Sequence, residues 1–261
     1  MGDPIVLVHG ILGFNQIVVG GTNVTTYFRD IRDALIEDGH TVPVPPRLDP
    51  TGSIKKRAHD LKGYLETNGD VSGRRVHLVA HSMGGLDSRF LISRLGMENR
   101  VLSLTTIGTP HHGSPIADFV MSHTHPALAS VFELLGVQGV DDLTSHSCEQ
   151  FNQDCPESPR VRYRSVGGSY QPDSVLVAPF EILRLTRDLM QKDFGDNDGL
   201  VPLESAKFGS DATRWEYRGA WPANHFRLVN WGTNIAITPK ECGDNWIVDK
   251  YRELVADIVQ P

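Results

Sequence analysis

The segment Val76–Gly85 constrains the fold of this chain more than any other part of the sequence. Residues 76–80 are apolar except for His77, which is typical of a buried strand, and a helical pattern follows them. Ser82 lies between the two in the pattern small-x-Ser-x-Gly, with Ala80 and Gly84 at the small positions. Small side chains are needed there because the strand and helix backbones nearly touch. We therefore predict a sharp strand-turn-helix that lifts the Ser82 hydroxyl above the sheet.

A serine in such a turn is a candidate nucleophile. The helix that follows directs its first backbone amides at the point where a negatively charged oxygen would form. Two amides are required, and one is predicted to be that of Met83, directly after the serine. The other is predicted to be that of Ile11, in the glycine-bearing loop that follows the buried strand Ile5–Val8. We expect His9, in the same loop, to orient it by hydrogen bonding.

A serine nucleophile also needs a histidine base and a carboxylate that orients the base. In chains with this turn the order along the sequence is serine, acid, histidine. After His146 the only histidine is His225, which is therefore the candidate base. The acid is less constrained. Asp198 is favoured because it stands in a glycine-supported turn before an apolar pair, and Asp196 and Asp173 are the alternatives.

Strand and helix patterns alternate along the rest of the chain. Strands are predicted at Ile5–Val8, Thr41–Val44, Arg75–Ala80, Val101–Ile107, Val161–Val166 and Trp215–Tyr217, and helices at Tyr27–Ile36, Ser53–Leu65, Gly84–Leu95, around Ile182–Met190 and at Trp246–Ile258. This alternation predicts a single α/β domain over residues 1–261, with a mostly parallel central sheet and helices on both faces. Apolar segments at helical spacing predict an inserted cap or lid at about 115–192.

Composition narrows the function classes. The chain has 261 residues, of which 39% are hydrophobic and 22% charged, so a full core can form. The formal net charge of −7 argues against a nucleic-acid partner, and no apolar run approaches the roughly 18 residues of a transmembrane helix. No signal peptide precedes the first strand, which predicts a cytosolic protein or a secreted one written without its leader. We expect Cys148, Cys155 and Cys242 to be free thiols, with a Cys148–Cys155 disulfide as the alternative.

These motifs, in this order, resemble those of the bacterial true lipases, the Pseudomonas-lipase-like triacylglycerol lipases of the α/β-hydrolase superfamily. The segments that carry the resemblance are Pro4–Phe14, Tyr27-Phe28, Ala80–Gly85, Thr105–Ser114, Asn197–Val201 and Asn224-His225. The resemblance implies that Ser82, Asp198 and His225 form a catalytic triad, that Ile11 and Met83 supply the oxyanion amides, and that a mobile lid covers the site. It also implies a secreted enzyme.

The family carries a structural calcium near its histidine loop, with an aspartate ligand two residues after the catalytic histidine. Arg227 stands at that position here, a cation where a calcium ligand would be needed. The sequence therefore argues against that calcium, and the expected chemistry requires no cofactor.

The function expected from the sequence is that of a serine carboxylic ester hydrolase, a lipase or esterase that acts on acylglycerols or similar apolar esters, including those at a lipid–water interface. A polyester hydrolase, an acyltransferase with the same triad and a non-catalytic binding protein of the same fold are the alternatives. The sequence does not constrain the oligomeric state.

Overall fold

The computed structural model describes residues 2–11, 16–19, 22–122, 138–171, 181–208, 215–231 and 245–259. The strands are β1 (Ile5–Val8), β2 (Gln16–Val19), β3 (Thr22–Thr26), β4 (Val76–His81), β5 (Val101–Ile107), β6 (Arg162–Gly168) and β7 (Trp215–Trp221). The helices are α1 (Ile31–Glu37), α2 (Ile54–Thr67), α3 (Met83–Arg94), α4 (Pro115–Met121), α5 (Ser145–Asp154), α6 (Glu181–Phe194), α7 (Leu203–Ala206) and α8 (Trp246–Ile258). Two 3₁₀ turns span Gln138–Leu143 and Arg227–Val229. No helix in these ranges is both long and apolar enough to cross a membrane.

A parallel sheet of five strands forms the centre of the molecule, in the order β1-β4-β5-β6-β7. Alternate residues of each strand face opposite layers of helices. In β1, Ile5 and Leu7 pack with α1 and α8 in one apolar cluster, whereas Val6 and Val8 pack with α2 and α3 in another. The predicted α/β fold is therefore confirmed, and the buried runs in the sequence are strands covered on both faces.

Two predicted elements differ from the structure. The helix expected at Tyr27–Ile36 begins only at Ile31, after Asp30 with φ of 61°, because residues 27–30 form a bend and a turn in which Tyr27 and Phe28 are buried. The strand expected at Thr41–Val44 is irregular backbone, although the Thr41 carbonyl accepts one hydrogen bond from Ile5 at 2.9 Å. Prolines at 43, 45 and 46 remove the amide donors that a strand ladder needs there.

Strand β6 falls inside the predicted cap and belongs to the central sheet. The segments that could cover the site therefore flank β6 and do not form one continuous insertion. Helix α4, before β6, packs on α6, after it, through Ile116 and Met190. Residues 123–137 and 172–180 of the predicted cap lie outside the described residues, so the cap boundaries stay a prediction.

The two cysteines on α5 are buried free thiols. Cys148 is in the helix and Cys155 is its C-terminal cap, seven positions later. A helical rise of about 1.5 Å per residue puts their Cα atoms roughly 10 Å apart, beyond the approximately 7 Å limit for a disulfide. The expected free thiols are therefore favoured at these two positions, and Cys242 lies outside the described part of the chain.

Candidate active site

Three side chains from three separate loops meet at the carboxyl end of the sheet. Ser82 lies between β4 and α3, Asp198 follows α6, and His225 follows β7. His225 Nε2 is 2.9 Å from Ser82 Oγ, and His225 Nδ1 is 2.7 Å from Asp198 Oδ2. All three residues are buried. The structure thus brings together the nucleophile, acid and base proposed from the sequence, in hydrogen-bonding contact and in the order serine, histidine, carboxylate.

Ser82 has a strained backbone, with φ of 55° and ψ of −134°, between the last residue of β4 and the first of α3. A non-glycine residue in this region costs about 1–3 kcal/mol and persists only where surrounding contacts fix it. Here the Ser82 amide donates to the Ile107 carbonyl at 2.9 Å, and the Ser82 carbonyl accepts from Thr109 Oγ1 at 2.7 Å. Strand β5 and the loop after it therefore impose the turn.

Asp198 holds His225 through both its side chain and its backbone. Its Oδ1 accepts from the amides of Leu200 and Val201 at 2.9 and 2.7 Å, which leaves Oδ2 for the imidazole. The His225 amide in turn donates to the Asp198 carbonyl at 2.8 Å. The rival Asp196 is exposed and accepts instead from Ser169 Oγ, and Asp173 lies outside the described residues. The geometry favours Asp198 as the acid.

The loop after β1 lies directly against the serine. A Cβ added to Gly10 would be 2.7 Å from Ser82 Cβ and 3.1 Å from Ser82 Oγ, so only glycine fits there. Within the described ranges, the amides of neither Ile11 nor Met83 donate a hydrogen bond. Neither amide is thus engaged by another described residue, as the predicted role of oxyanion donor requires.

Two successive peptide groups of this loop are held by side chains that sequence reasoning partly missed. The carbonyl between His9 and Gly10 accepts from Arg57 Nη2 at 2.7 Å, and Arg57 is itself fully buried and paired with Asp87 Oδ2 at 2.8 Å. No local signal marks this pair, because its members lie on different helices. The next carbonyl, that of Gly10, accepts from the His9 ring at 2.9 Å, while His9 Nε2 accepts from the Leu48 amide. These contacts match the orienting role expected for His9.

Gly84 fixes the distance between α3 and β1. A Cβ there would lie 2.7 Å from the His9 carbonyl oxygen and 2.8 Å from that of Val8, both rigid backbone atoms. We expect Gly84→Ala to lower the free energy of unfolding by about 1–3 kcal/mol in chemical denaturation, because the backbone must move to admit the methyl group. The control is Gly63→Ala on α2, where no atom lies within 4 Å and a gain of up to about 1 kcal/mol is expected. Equal stability of both variants would contradict this account of the turn.

Four buried histidines are expected to make the free energy of unfolding fall at acid pH. Burial, helped by nearby Arg57 and Arg162 respectively, lowers the pKa of His9 and of His77 to about 4. Burial also lowers the pKa values of His81 and His111 well below 6.5. At these four sites the folded state therefore binds fewer protons than the unfolded state below pH 6.5, so the stability that they provide at neutral pH is lost as pH falls.

We expect each of these histidines to contribute a loss approaching 1.4 kcal/mol per pH unit below about pH 6. Urea denaturation at pH 7, 6 and 5 measures the slope. His77→Gln is the informative variant, because His77 lies at the far end of β4, where it shares a hydrogen bond with Ser103. The substitution should reduce the slope of stability against pH by the equivalent of about one proton. A free energy of unfolding that does not change between pH 7 and pH 5 would refute the prediction.

As far as residue 231, where the described segment ends, the loop that carries His225 is a poor match for a calcium site. Arg227 is half-buried there, and its amide and that of Phe226 donate to Asn224 Oδ1 at 2.9 and 3.1 Å. Asn230 Nδ2 donates to the Arg29 carbonyl at 3.0 Å. A cationic side chain and engaged amides do not fit the shell of carboxylate and carbonyl oxygens that calcium takes. Across the described ranges, no three His, Cys, Asp or Glu side chains converge to hold a metal.

Comparison with known proteins adds independent information. The family model of lecithin:cholesterol acyltransferase matches residues 47–146. A triacylglycerol lipase of Vibrio cholerae is 37% identical over 263 aligned positions, which cover 87% of this chain and 79% of that protein. Triacylglycerol lipase 2 of Saccharomyces cerevisiae is 34% identical over 228 positions, 80% of this chain but 64% of the yeast protein, so the chain spans just under two thirds of that relative. The crystal structure of Staphylococcus hyicus lipase matches with a TM-score of 0.73 at 19% identity, over 98% of this chain and 95% of that one, which shows the shared fold.

Proposed function

The chain belongs to the triacylglycerol lipase family of the α/β-hydrolase superfamily, and on that premise we propose that it hydrolyses carboxylic esters through an acyl-enzyme formed on Ser82. The observation that carries the proposal is the placement of His225, whose two ring nitrogens lie 2.9 Å from Ser82 Oγ and 2.7 Å from Asp198 Oδ2. Such an arrangement activates a hydroxyl that is otherwise a weak nucleophile.

In the first half of the proposed reaction, Ser82 Oγ attacks the ester carbonyl carbon while His225 Nε2 takes the hydroxyl proton. The carbonyl electron pair moves onto oxygen, and the amides of Ile11 and Met83 donate to the resulting oxyanion. Asp198 stabilises the imidazolium and keeps its Nδ1 proton in place. When the tetrahedral intermediate collapses, the bond to the alcohol breaks and His225 Nε2 returns its proton to the leaving oxygen.

In the second half, water replaces the alcohol. His225 Nε2 takes a proton from the water as it attacks the acyl carbonyl, and the same two amides of Ile11 and Met83 receive the second oxyanion. Collapse of this intermediate breaks the bond to Ser82 Oγ, which regains a proton from His225. The carboxylic acid leaves, and the starting state is restored. No metal or organic cofactor is needed for this sequence of steps.

The surroundings of the site favour an apolar acyl group. The side chains of Ile11 and Met83 pack in one apolar cluster with Val140, which lies in the 3₁₀ turn after residue 137. A Cβ on the neighbouring Gly139 would be 3.2 Å from both Ile11 Cδ1 and Met83 Cε. Acylglycerols and similar esters, presented at a lipid–water interface, are therefore the proposed substrates. A secreted location, which the resemblance to bacterial true lipases implies, belongs to the same proposal.

An organophosphonate ester tests the nucleophile and the reaction class together. We expect a single adduct on Ser82 by mass spectrometry, with loss of p-nitrophenyl ester hydrolysis in proportion to labelling. Labelling at another residue, or full activity after labelling of Ser82, would overturn the proposal. A series of p-nitrophenyl esters of increasing chain length then separates a short-chain esterase from a lipase.

An acyltransferase would use the same residues, and the matching family model that spans Ser82 carries that activity in its description. The two functions differ only in the molecule that takes the acyl group from Ser82, which is water in hydrolysis and an alcohol in transfer. The test compares the products formed in water with and without an added primary alcohol. A product that is mainly the free acid supports the proposed hydrolase, whereas preferential formation of the new ester at low alcohol concentration would support the transferase.

A further inference from the structure

Tyr27 is buried between β3 and α1, beside the loop that follows β1. The Gly10 amide donates to Tyr27 Oη at 3.2 Å, and the same hydroxyl shares a hydrogen bond of 2.7 Å with His81 Nδ1. His81 is the last residue of β4 and directly precedes Ser82. One phenol oxygen therefore connects the loop that presents Ile11 to the strand that presents the nucleophile.

The backbone of Tyr27 makes a third connection, to the loop of the base. Trp231 Nε1 donates to the Tyr27 carbonyl at 2.8 Å. The neighbouring Asn230 donates to the Arg29 carbonyl, two residues further along the same segment. Both donors follow the 3₁₀ turn that begins two residues after His225. Tyr27 is thus hydrogen-bonded to all three pieces of chain that must be in register for the proposed reaction.

We propose that Tyr27 is a positioning residue that sets the oxyanion loop relative to Ser82, through its hydroxyl bonds to Gly10 and His81. This role rests on the proposed function, because it concerns the oxyanion site of that reaction. The peptide group between His9 and Gly10 is hydrogen-bonded at both ends. Its carbonyl accepts from Arg57, and its N–H donates to the Tyr27 hydroxyl. With both ends of that group fixed, the next amide, that of Ile11, has a defined direction.

The Tyr27–His81 contact joins two groups that are uncharged around neutral pH. Burial raises the pKa of the Tyr27 phenol above its ordinary value, and burial lowers the pKa of His81 well below 6.5. Both groups are therefore neutral around pH 7. With both groups neutral, the Tyr27 hydroxyl can accept from the Gly10 amide and bond to His81 Nδ1 at the same time. A charged ring would carry a proton on each nitrogen and would change this hydrogen-bond pattern. A contact between two neutral groups is what a positioning role requires.

Tyr27→Phe isolates the hydroxyl, since phenylalanine retains the ring contacts with Phe28 and His81. Loss of the hydroxyl leaves the buried Gly10 amide without this acceptor and lets the loop rotate. We expect kcat for an ester to fall by about 10- to 100-fold with KM nearly unchanged, less than the roughly 10²–10³-fold expected for loss of an oxyanion donor itself. The matched control is Tyr64→Phe, which removes a phenol hydroxyl bonded to the Val44 carbonyl, away from the site, and should leave kcat unchanged.

A thionoester substrate distinguishes positioning from a general loss of structure. Its intermediate carries the negative charge on sulfur, a weak hydrogen-bond acceptor, and so depends little on the oxyanion amides. We expect Tyr27→Phe to slow the thionoester by less than about 3-fold while the matched ester loses about 10- to 100-fold. Equal losses on the two substrates, or no loss on the ester, would overturn the role of Tyr27.

Phosphonate labelling separates failure of this inference from failure of the proposed function. If the unaltered protein is not labelled at Ser82, the proposed hydrolase fails, and the role of Tyr27 fails with it. If the unaltered protein is labelled and Tyr27→Phe reacts at the same rate, only the role of Tyr27 fails. The expected result is labelling of both at Ser82, with the variant slower by the factor that it loses in ester turnover.

Discussion

Ser82→Ala is expected to lower kcat for ester hydrolysis by something on the order of 10⁶-fold, the loss seen when a triad acts as one unit. Without Oγ no acyl-enzyme can form, although the amides of Ile11 and Met83 still receive an oxyanion and retain some residual rate. The fold should be preserved, because the amide of residue 82 still donates to the Ile107 carbonyl and its carbonyl still accepts from Thr109 Oγ1. Rates with a p-nitrophenyl ester and thermal unfolding measure both effects.

Ser82→Gly is the matched variant for this prediction. It removes the same hydroxyl, so its activity should be as low as that of Ser82→Ala. Glycine, however, adopts φ of 55° and ψ of −134° without the penalty of a Cβ, so this variant should be about 1–3 kcal/mol more stable than the alanine variant. A Ser82→Ala protein with near-normal turnover would remove Ser82 from the mechanism. Equal stability of the two variants would show that the turn stores no strain.

The nucleophile turn could be predicted because its requirements are local. A buried strand, a serine and two small residues lie within one short stretch. Gly84, where a Cβ would clash with the carbonyls of Val8 and His9, is part of that pattern. His225 could be selected because histidines are scarce late in the chain. Asp198 had two rivals on local grounds. The structure favours it through Leu200 and Val201, whose amides orient its carboxylate.

The supports of the oxyanion loop could not be predicted in the same way. Arg57 and Asp87 each fit an ordinary helix, and only the packing of α2 on α3 pairs them in the core. Tyr27 was expected inside a helix, since its neighbours have helical spacing. In the structure, Tyr27 lies in the bend before α1, where hydrogen bonds to His81 and Trp231, far away in the sequence, hold it. Tertiary contacts thus override the local preference where the site is assembled.

Asp198→Asn is expected to lower kcat by about 10⁴-fold with little change in the site geometry, as wrong-tautomer variants of such triads do. The structure gives a specific reason. Oδ1 accepts from the amides of Leu200 and Val201, so an asparagine must keep its carbonyl oxygen at that place and turn its NH₂ toward His225. His225 Nδ1 then has to accept a hydrogen bond, and its proton moves to Nε2.

A proton on Nε2 points at Ser82 Oγ, 2.9 Å away, so the ring can no longer take the hydroxyl proton. The control is Asp196→Asn, which removes the same charge two residues earlier on the exposed side of the loop and should retain kcat. KM should be similar in both variants, because the carboxylate does not contact the proposed substrate. If Asp196→Asn were the inactive variant and Asp198→Asn the active one, the acid would have to be reassigned. If neither lost activity, orientation of His225 would have to come from its amide bond to the Asp198 carbonyl alone, a contact that both variants retain.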